Sequence, residues 1–425
     1  MLMCSIAISS PFALSAKAQT RAYAQIRIDV QYADRASLHR GGVHQALRGR
    51  EAMKPRANNV TLFLAGDLMT GRGIDQILTH PSRPHLFESF VSSATTYVEL
   101  AEKLGGPIPR EAGFDYVWGE ALNELKRAHP DVRIANLETA VTTSEDAWPD
   151  KGIHYRMHPA NVPCLTRAGL DCCVLANNHA LDWGYAGLSE TLAVLHAAGI
   201  RSAGAGHDAT EAAAPAVVAL RDQVRVLVFA FAVASSGVPA EWTATDEQAG
   251  INWLADLSEN SVERVARQVS RYRRDGDLCI ASIHWGGNWG YHISRSEREF
   301  AHRLIDTVGL HLVHGHSSHH VKGIEVYQSK AILYGCGDLL NDYEGIGGYE
   351  SFRGDLALMF FATLDASGTL VRLDMTPTQT RRFQIHRAPS DASAWLAQTL
   401  NRECAHLGTS VTQQTDGRLL LQWSA

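Results

Sequence analysis

The feature that most constrains this chain is a repeated pairing of a short apolar run with a polar cluster at its carboxyl end. Runs at 60–65, 132–136, 172–176, 224–231, 278–284, 310–314 and 331–334 are rich in Val, Ile, Leu, Ala and Cys, as buried strands are. Helical patterns at Gly119 to Ala128, Tyr185 to Ala198, Ser258 to Arg274 and Ser296 to Thr307 fall between them. Such alternation predicts a layered α/β architecture. The runs end in Gly66-Asp67, Asn136-Leu137-Glu138, Asn177-Asn178-His179, His284-Trp285-Gly286 and His314-Gly315-His316. In α/β sheets ligands bind beyond the carboxyl ends of strands, so these clusters are expected to converge although the sequence separates them.

The bulk properties permit an enzyme and exclude some partners. With 425 residues, 45% of them hydrophobic, the chain can bury one large domain or two ordinary ones. A net charge of -6 and the lack of any dense Lys/Arg run argue against nucleic acid. Cys172, Cys173, Cys279 and Cys336 sit inside apolar runs, which predicts reduced core thiols. No uninterrupted apolar segment of about 18 residues occurs, so no spanning helix is expected. Met1 to Ala18 is weakly apolar, with Ala16-Lys17-Ala18 at a place where a signal peptidase cuts, but it lacks a basic start. It reads as a poorly defined leader over 1–57, with a cytoplasmic location favoured and a secreted or periplasmic one if it is a signal peptide. Pro55 and Asn58-Asn59 then break the chain. The catalytic body is assigned to 58–375. A small α+β appendage is assigned to 376–425, with a helix from Asp391 to His406 and a strand near Leu419 to Trp423.

The clusters carry the chemistry. Asp67, after a glycine at a strand end, can approach a cation closely or cap the next helix, and Arg72 can meet a substrate anion. Asn136 and Glu138 flank Leu137, so in extended geometry they share a face. Asn177-Asn178-His179 is followed by Asp182 and Gly184. An amide oxygen can ligate a metal, and a His held by Asp182 can serve as general acid, the alternative being a simple turn. His284 places an imidazole at a strand end, while Trp285, Trp289 and Tyr291 can line a pocket or merely pack. The run from His314 to His320, with His316, His319 and His320 among its histidines, is the densest set of metal-type donors, and no Cys accompanies it. An open catalytic site fits this better than a structural tetrahedral zinc.

Taken in order, Gly66-Asp67-Leu68-Met69, Asn136-Leu137-Glu138, Asn177-Asn178-His179 with Asp182 and Gly184, His284-Trp285-Gly286, and Gly315-His316 through Glu325 resemble the CapA family. These are bacterial capsule or poly-γ-glutamate biosynthesis proteins related to calcineurin-like metallophosphatases, and the resemblance spans about residues 60 to 375. It implies a four-layer α/β/β/α sandwich holding two divalent ions, Mn, Fe or Zn. By position it implies Asp67, Glu138, Asn178, His284, His316 and His319 as ligands, and His179 beside them as proton donor. Asn288-Trp289 stand where the family usually has Glu-Tyr, which alters substrate contacts. Serines interrupt the family's usual Gly-His-His-Pro-His; aligning Ile324-Glu325 favours His319 as ligand, and His320 stays open. The expected activity is metal-assisted attack of hydroxide on a phosphoester, with His179 protonating the leaving group. Alternatives are a non-hydrolytic assembly factor for an acidic polymer and a γ-glutamyl amide hydrolase.

Overall fold

The computed structural model describes residues 59–220 and 224–424; the leader assigned to 1–57 lies outside them. In chain order the strands that form the two large sheets are β1 (Val60–Leu68), β2 (Val132–Leu137), β3 (Cys172–Val174), β4 (Arg201–Ala203), β5 (Ala216–Ala219), β6 (Arg225–Val233), β7 (Trp253–Leu254), β8 (Leu278–His284), β9 (Leu312–His316), β10 (Ile324–Tyr327), β11 (Lys330–Leu333), β12 (Asp338–Leu340), β13 (Leu356–Leu364), β14 (Leu370–Arg381), β15 (Gln384–Arg387), β16 (Thr409–Gln413) and β17 (Leu419–Trp423). The main helices are α1 (Arg72–Ile77), α2 (Thr95–Gly105), α3 (Ala121–Ala128), α4 (Gly184–Ala197), α5 (Glu259–Tyr272), α6 (Arg295–Asp306) and α7 (Ser390–Cys404). The molecule is thus mixed α/β, as the alternating pattern predicts.

A ten-stranded sheet runs β16-β17-β14-β13-β1-β2-β3-β4, with β12 beside β1 and β15 beside β14. A seven-stranded sheet runs β7-β6-β8-β9-β11-β10, with β5 beside β6. In the first sheet β12, β1, β2, β3 and β4 are parallel. In the second, β7, β6, β8, β9 and β11 are parallel. Parallel strands are covered on both faces, which is why β6 and β8 read as unbroken apolar runs rather than alternating ones. Their common direction collects the polar strand ends of each sheet on one edge.

Alternation along β6 explains the packing. Val226 and Val228 join Leu62 and Leu64 of β1, Ile280 of β8 and Leu312 of β9 in one apolar cluster that draws on both sheets. Leu227, Phe229 and Phe231 point the other way and meet Val262 and Val265 of α5 and Phe300 and Leu304 of α6. Residues 376–425 continue the first sheet. Leu419 and Leu420 pair with Met375 and Asp374, and Leu396, Leu400 and Leu421 sit in the shared core. The boundary drawn at 375/376 therefore falls inside β14, because apolar side chains on both sides of it bury together. Cys164, Cys172, Cys173, Cys279, Cys336 and Cys404 are free and buried. Among the described residues, no helix is long and apolar enough to cross a membrane.

Candidate metal centre

The centre begins with a bulge. Pairing of β1 with β2 steps from Ala65↔Ala135 to Asp67↔Asn136, leaving Gly66 as the extra residue. A Cβ on Gly66 would stand 1.8 Å from the Gly337 carbonyl oxygen, so only glycine fits. The Asp67 N–H donates to that same oxygen at 2.9 Å. On the other side of β1, Asp67 lies in register with Asp338 of β12. Two Gly-Asp steps on adjacent parallel strands thus set two buried carboxylates side by side.

Ligand-type atoms of Asp67, His284 and His316 lie within 4.8 Å of one another, and so do those of Asp67, His319 and Asp338. His284 and His316 are register partners at the ends of β8 and β9. Their Nδ1 atoms are 2.9 Å apart, and His316 Nδ1 is 3.9 Å from Asp67 Oδ1. Ser282 Oγ holds His316 Nε2 at 2.9 Å, and Asn178 Oδ1 is 3.1 Å from His284 Nε2. His319 Nδ1 is 2.9 Å from Asp338 Oδ1. His320 turns away. Its Nε2 accepts from the Gly290 N–H, its Nδ1 meets the Val321 carbonyl, and its ring packs on Trp289 and Phe352. Of the two histidines the sequence left open, His319 is the one brought to Asp67. Between His316 and His319, Ser317 takes a left-handed φ of 101°, which aims its N–H at Asp67 Oδ2, 3.3 Å away.

Amide side chains hold the carboxylates. Asn136 Nδ2 donates to Asp67 Oδ1 at 2.7 Å and to Glu138 Oε2 at 3.2 Å, while its Oδ1 accepts from Asn177 Nδ2 at 3.0 Å. Leu137 between them is fully buried, as the alternation of β2 requires. Burial pushes Asp67 up to about 7, with Asp338 adding to the rise and His319 opposing it. Burial and the nearby Asp67 push Glu138 well above the usual carboxylate range. Buried carboxylates this close are costly unless positive charge lies among them. Imidazole and carboxylate donors without a thiol suit a borderline divalent cation, so the residues present fit such an ion.

His179 stands at the rim, with Nε2 3.8 Å from Glu138 Oε1. Its Nδ1 is 2.6 Å from Asp182 Oδ2, which also accepts from the Tyr155 N–H at 2.6 Å. Lys151 Nζ reaches Asp182 Oδ1 at 2.6 Å and His179 Nδ1 at 3.2 Å. Burial lowers His179 to about 4 against the pull of Asp182. For Asp182 burial works upward, but His179 and Lys151 outweigh it and hold the carboxyl below its usual value.

Two residues expected at the substrate lie elsewhere. Arg72 is 4% exposed, and its guanidinium is committed to Asp342 at 2.5 and 3.1 Å and to Glu88 at 3.0 Å. It braces the segment carrying Tyr343, whose hydroxyl is 3.4 Å from His319 Nε2. Trp285 is 2% exposed, donates to the Tyr334 carbonyl at 2.9 Å and stacks on that ring. The aromatic that faces open space is Trp289, which with Asn341, Tyr343, Tyr349 and Arg353 lines a cavity of about 410 Å³. Trp289 and Tyr343 both pack against the His319 ring, so this cavity adjoins the centre. Asn288 offers its amide to His319 Nε2 at 3.1 Å. Sequence reasoning missed Asp338 and Lys151. Asp338 carried a signal, since Gly337-Asp338-Leu339 repeats Gly66-Asp67-Leu68; Lys151 sits in an irregular loop and carried none.

Fold and centre together define a class: a mixed α/β protein whose parallel strand ends gather a buried aspartate–histidine cluster fitted to divalent cations. Residues 61–343 match the family model described as "Bacterial capsule synthesis protein PGA_cap". The chain belongs to that family, which is the family its ordered motifs resemble. It is 46% identical over 362 residues to the "Probable polyglutamine synthesis accessory protein" of Mycobacterium tuberculosis (strain H37Rv), covering 85% of this chain and 95% of that one. It is 23% identical to the "PGA biosynthesis protein CapA" of Bacillus subtilis, covering 83% and 80% of the two chains. Against the "Capsule biosynthesis protein CapA" of Bacillus anthracis it is 25% identical, covering 76% and 69%.

Proposed function

We propose that this chain is a metal-dependent hydrolase of the phosphoesterase type that serves capsule or poly-γ-glutamate synthesis. The observation that carries the reading is that one carboxylate, Asp67, belongs to both donor groups. On this reading Asp67, His284 and His316, with Asn178 beside them, hold one divalent ion, and Asp67, His319 and Asp338 hold a second. Glu138, linked to Asp67 through Asn136, completes the set. The two sheets and their flanking helices are then the α/β/β/α layers of a metallophosphatase-type sandwich. Cations bound there supply Lewis acidity toward a phosphoryl oxygen and activate water, so no Ser or Cys nucleophile is needed. His179 holds or releases a proton at Nε2, its ring fixed by Asp182 and Lys151. An anionic group arriving beside it raises its proton affinity, so the ring is loaded with the proton that it then gives to a leaving oxygen.

The relatives' names, which print polyglutamine synthesis, PGA biosynthesis and capsule biosynthesis, support a polymer as partner, and the acidic character assigned to it here belongs to the proposal. The word "accessory" in one of them favours a second reading, in which the same centre positions polymer without cleaving it. Elemental analysis of the purified protein, followed by turnover of an aryl phosphate and of polyglutamate by wild type and His316→Ala, separates these. Two equivalents of metal and phosphate-ester turnover lost in the variant are expected. Bound metal with no turnover of either substrate favours the accessory role, and absence of metal overturns both.

A further inference from the structure

Lys322 is a buried cation that this chemistry does not use. It is 5% exposed, and its stem is wedged against Gly335, where an added Cβ would stand 3.0 Å from Lys322 Cγ. Its ammonium donates to the His292 carbonyl at 3.2 Å. Among the described residues it forms no ion pair within 4.0 Å. A buried ammonium with one neutral acceptor is costly and calls for an anion.

Lys322 lines a second cavity, of about 710 Å³, with Ser235, Asp256, Gly286, Gly287, Trp289 and Glu297 among its walls. One oxygen of each of the two carboxylates there is held by neutral donors at a helix start. Asp256 Oδ1 accepts from the Ser258 N–H and the Ser261 hydroxyl, both at 3.0 Å, at the start of α5. Glu297 Oε2 accepts from the Ser294 N–H at 2.6 Å, in the capping box that opens α6. At Gly286, which has φ +74°, an added Cβ would stand 2.8 Å from Glu297 Oε1 and 3.6 Å from Lys322 Nζ. The ammonium and the carboxylate thus flank a space that the glycine keeps free. This space borders the metal centre. Gly286 follows His284 by two residues, its carbonyl accepts from Ser317 Oγ at 3.2 Å, and Trp289 lines both cavities.

We propose that the cavity beside Gly286 is an oxyanion subsite, in which Lys322 receives a carboxylate or phosphate group of a substrate whose reacting bond lies at the Asp67 centre. It rests on the reading of the substrate as anionic, but not on hydrolysis. Lys322 acts there as a fixed charge with its other N–H groups turned to the ligand, and Trp289 forms the wall shared with the neighbouring cavity. A chain of acidic groups laid past Trp289 would place successive charges in the two cavities.

Calorimetric titration of the full chain, as purified and again after chelation, with inorganic phosphate and with a short γ-linked glutamate oligomer tests this. Wild type is expected to bind at least one probe after chelation, and which one identifies the source of the oxyanion. Lys322→Met should weaken that binding at least tenfold, and Lys322→Arg should retain most of it. Glu297→Gln keeps the capping box while removing the facing charge, and should tighten binding several-fold. Wild type binding neither probe, or a folded Lys322→Met binding like wild type, overturns the subsite. If Lys322→Met does not fold, unchanged affinity in Glu297→Gln overturns it. Lys322-dependent binding in a protein that holds no metal leaves the subsite standing and fails the hydrolase reading alone.

Discussion

Asp338 shows how much a single side chain decides here. It is 3% exposed, pairs with His319, and is oriented by Asn341 Nδ2 at 2.9 Å. Asp338→Asn keeps the shape and removes the charge, so the protein should fold and lose about one equivalent of bound cation. Elemental analysis of wild type and variant checks this, and unchanged metal content would remove Asp338 from the centre. The sequence made Asp67, His284 and His316 legible because each ends an apolar run that a strand needs. His319 and His320 could not be told apart in that way, since the choice depends on the left-handed turn at Ser317, which only the folded backbone reveals. Arg72 illustrates the opposite error. A cation near a carboxylate cluster suggests substrate contact, yet Glu88 and Asp342, remote in sequence, had already claimed it.

At the level of elements, strand position was read well and strand ends less well. The run Leu278 to His284 coincides with β8, whereas β9 starts two residues later than the apolar pattern and takes in His316. Helix α6 begins one residue before its expected start because the Ser294–Glu297 capping box fixes it there. The bulge at Gly66 could not be read, because its cause is the Gly337 carbonyl pressed against it from another strand. Gly66→Ala should therefore disrupt β1 by several kcal/mol, given a contact far inside van der Waals range. Urea unfolding measures this, and a wild-type midpoint would refute the close approach. A second strand contact carries pH dependence. His311, immediately before β9, accepts from the Cys279 N–H at 2.9 Å, and burial, aided by Lys330 and Arg273, lowers it to about 4. The unfolded chain binds this proton near pH 6.5, so stability is full above that value and falls as pH drops toward 4, by at most about 3 kcal/mol. His311→Asn keeps an acceptor and should flatten that part of the stability profile, compared by denaturant titration at pH 7 and pH 5; an unaltered slope would count against it.

For the molecule as a whole, the ten-stranded sheet depends on both ends of the described chain. β1 sits at its middle, while β16 and β17 close one side and α7 covers part of the core. Truncation before Pro389 would strip β14 of β17 and bare the apolar side chains around Leu373 and Met375. The shortened chain should be insoluble or aggregated by size-exclusion chromatography, and a soluble monomer melting like wild type would show that the C-terminal segment is dispensable. The sequence suggested an appendage because composition shifts near Thr376, but composition does not report which strands pair.

Asp67 belongs to two donor groups, so if each holds a cation as proposed, neither half can be loaded without the other registering it. Whatever charge one half acquires alters the affinity of its neighbour, and the free energy of that influence is the same in either direction. A cation titration of this protein should therefore depart from two independent isotherms, and Asp67 is the residue whose replacement abolishes the linkage together with the occupancy.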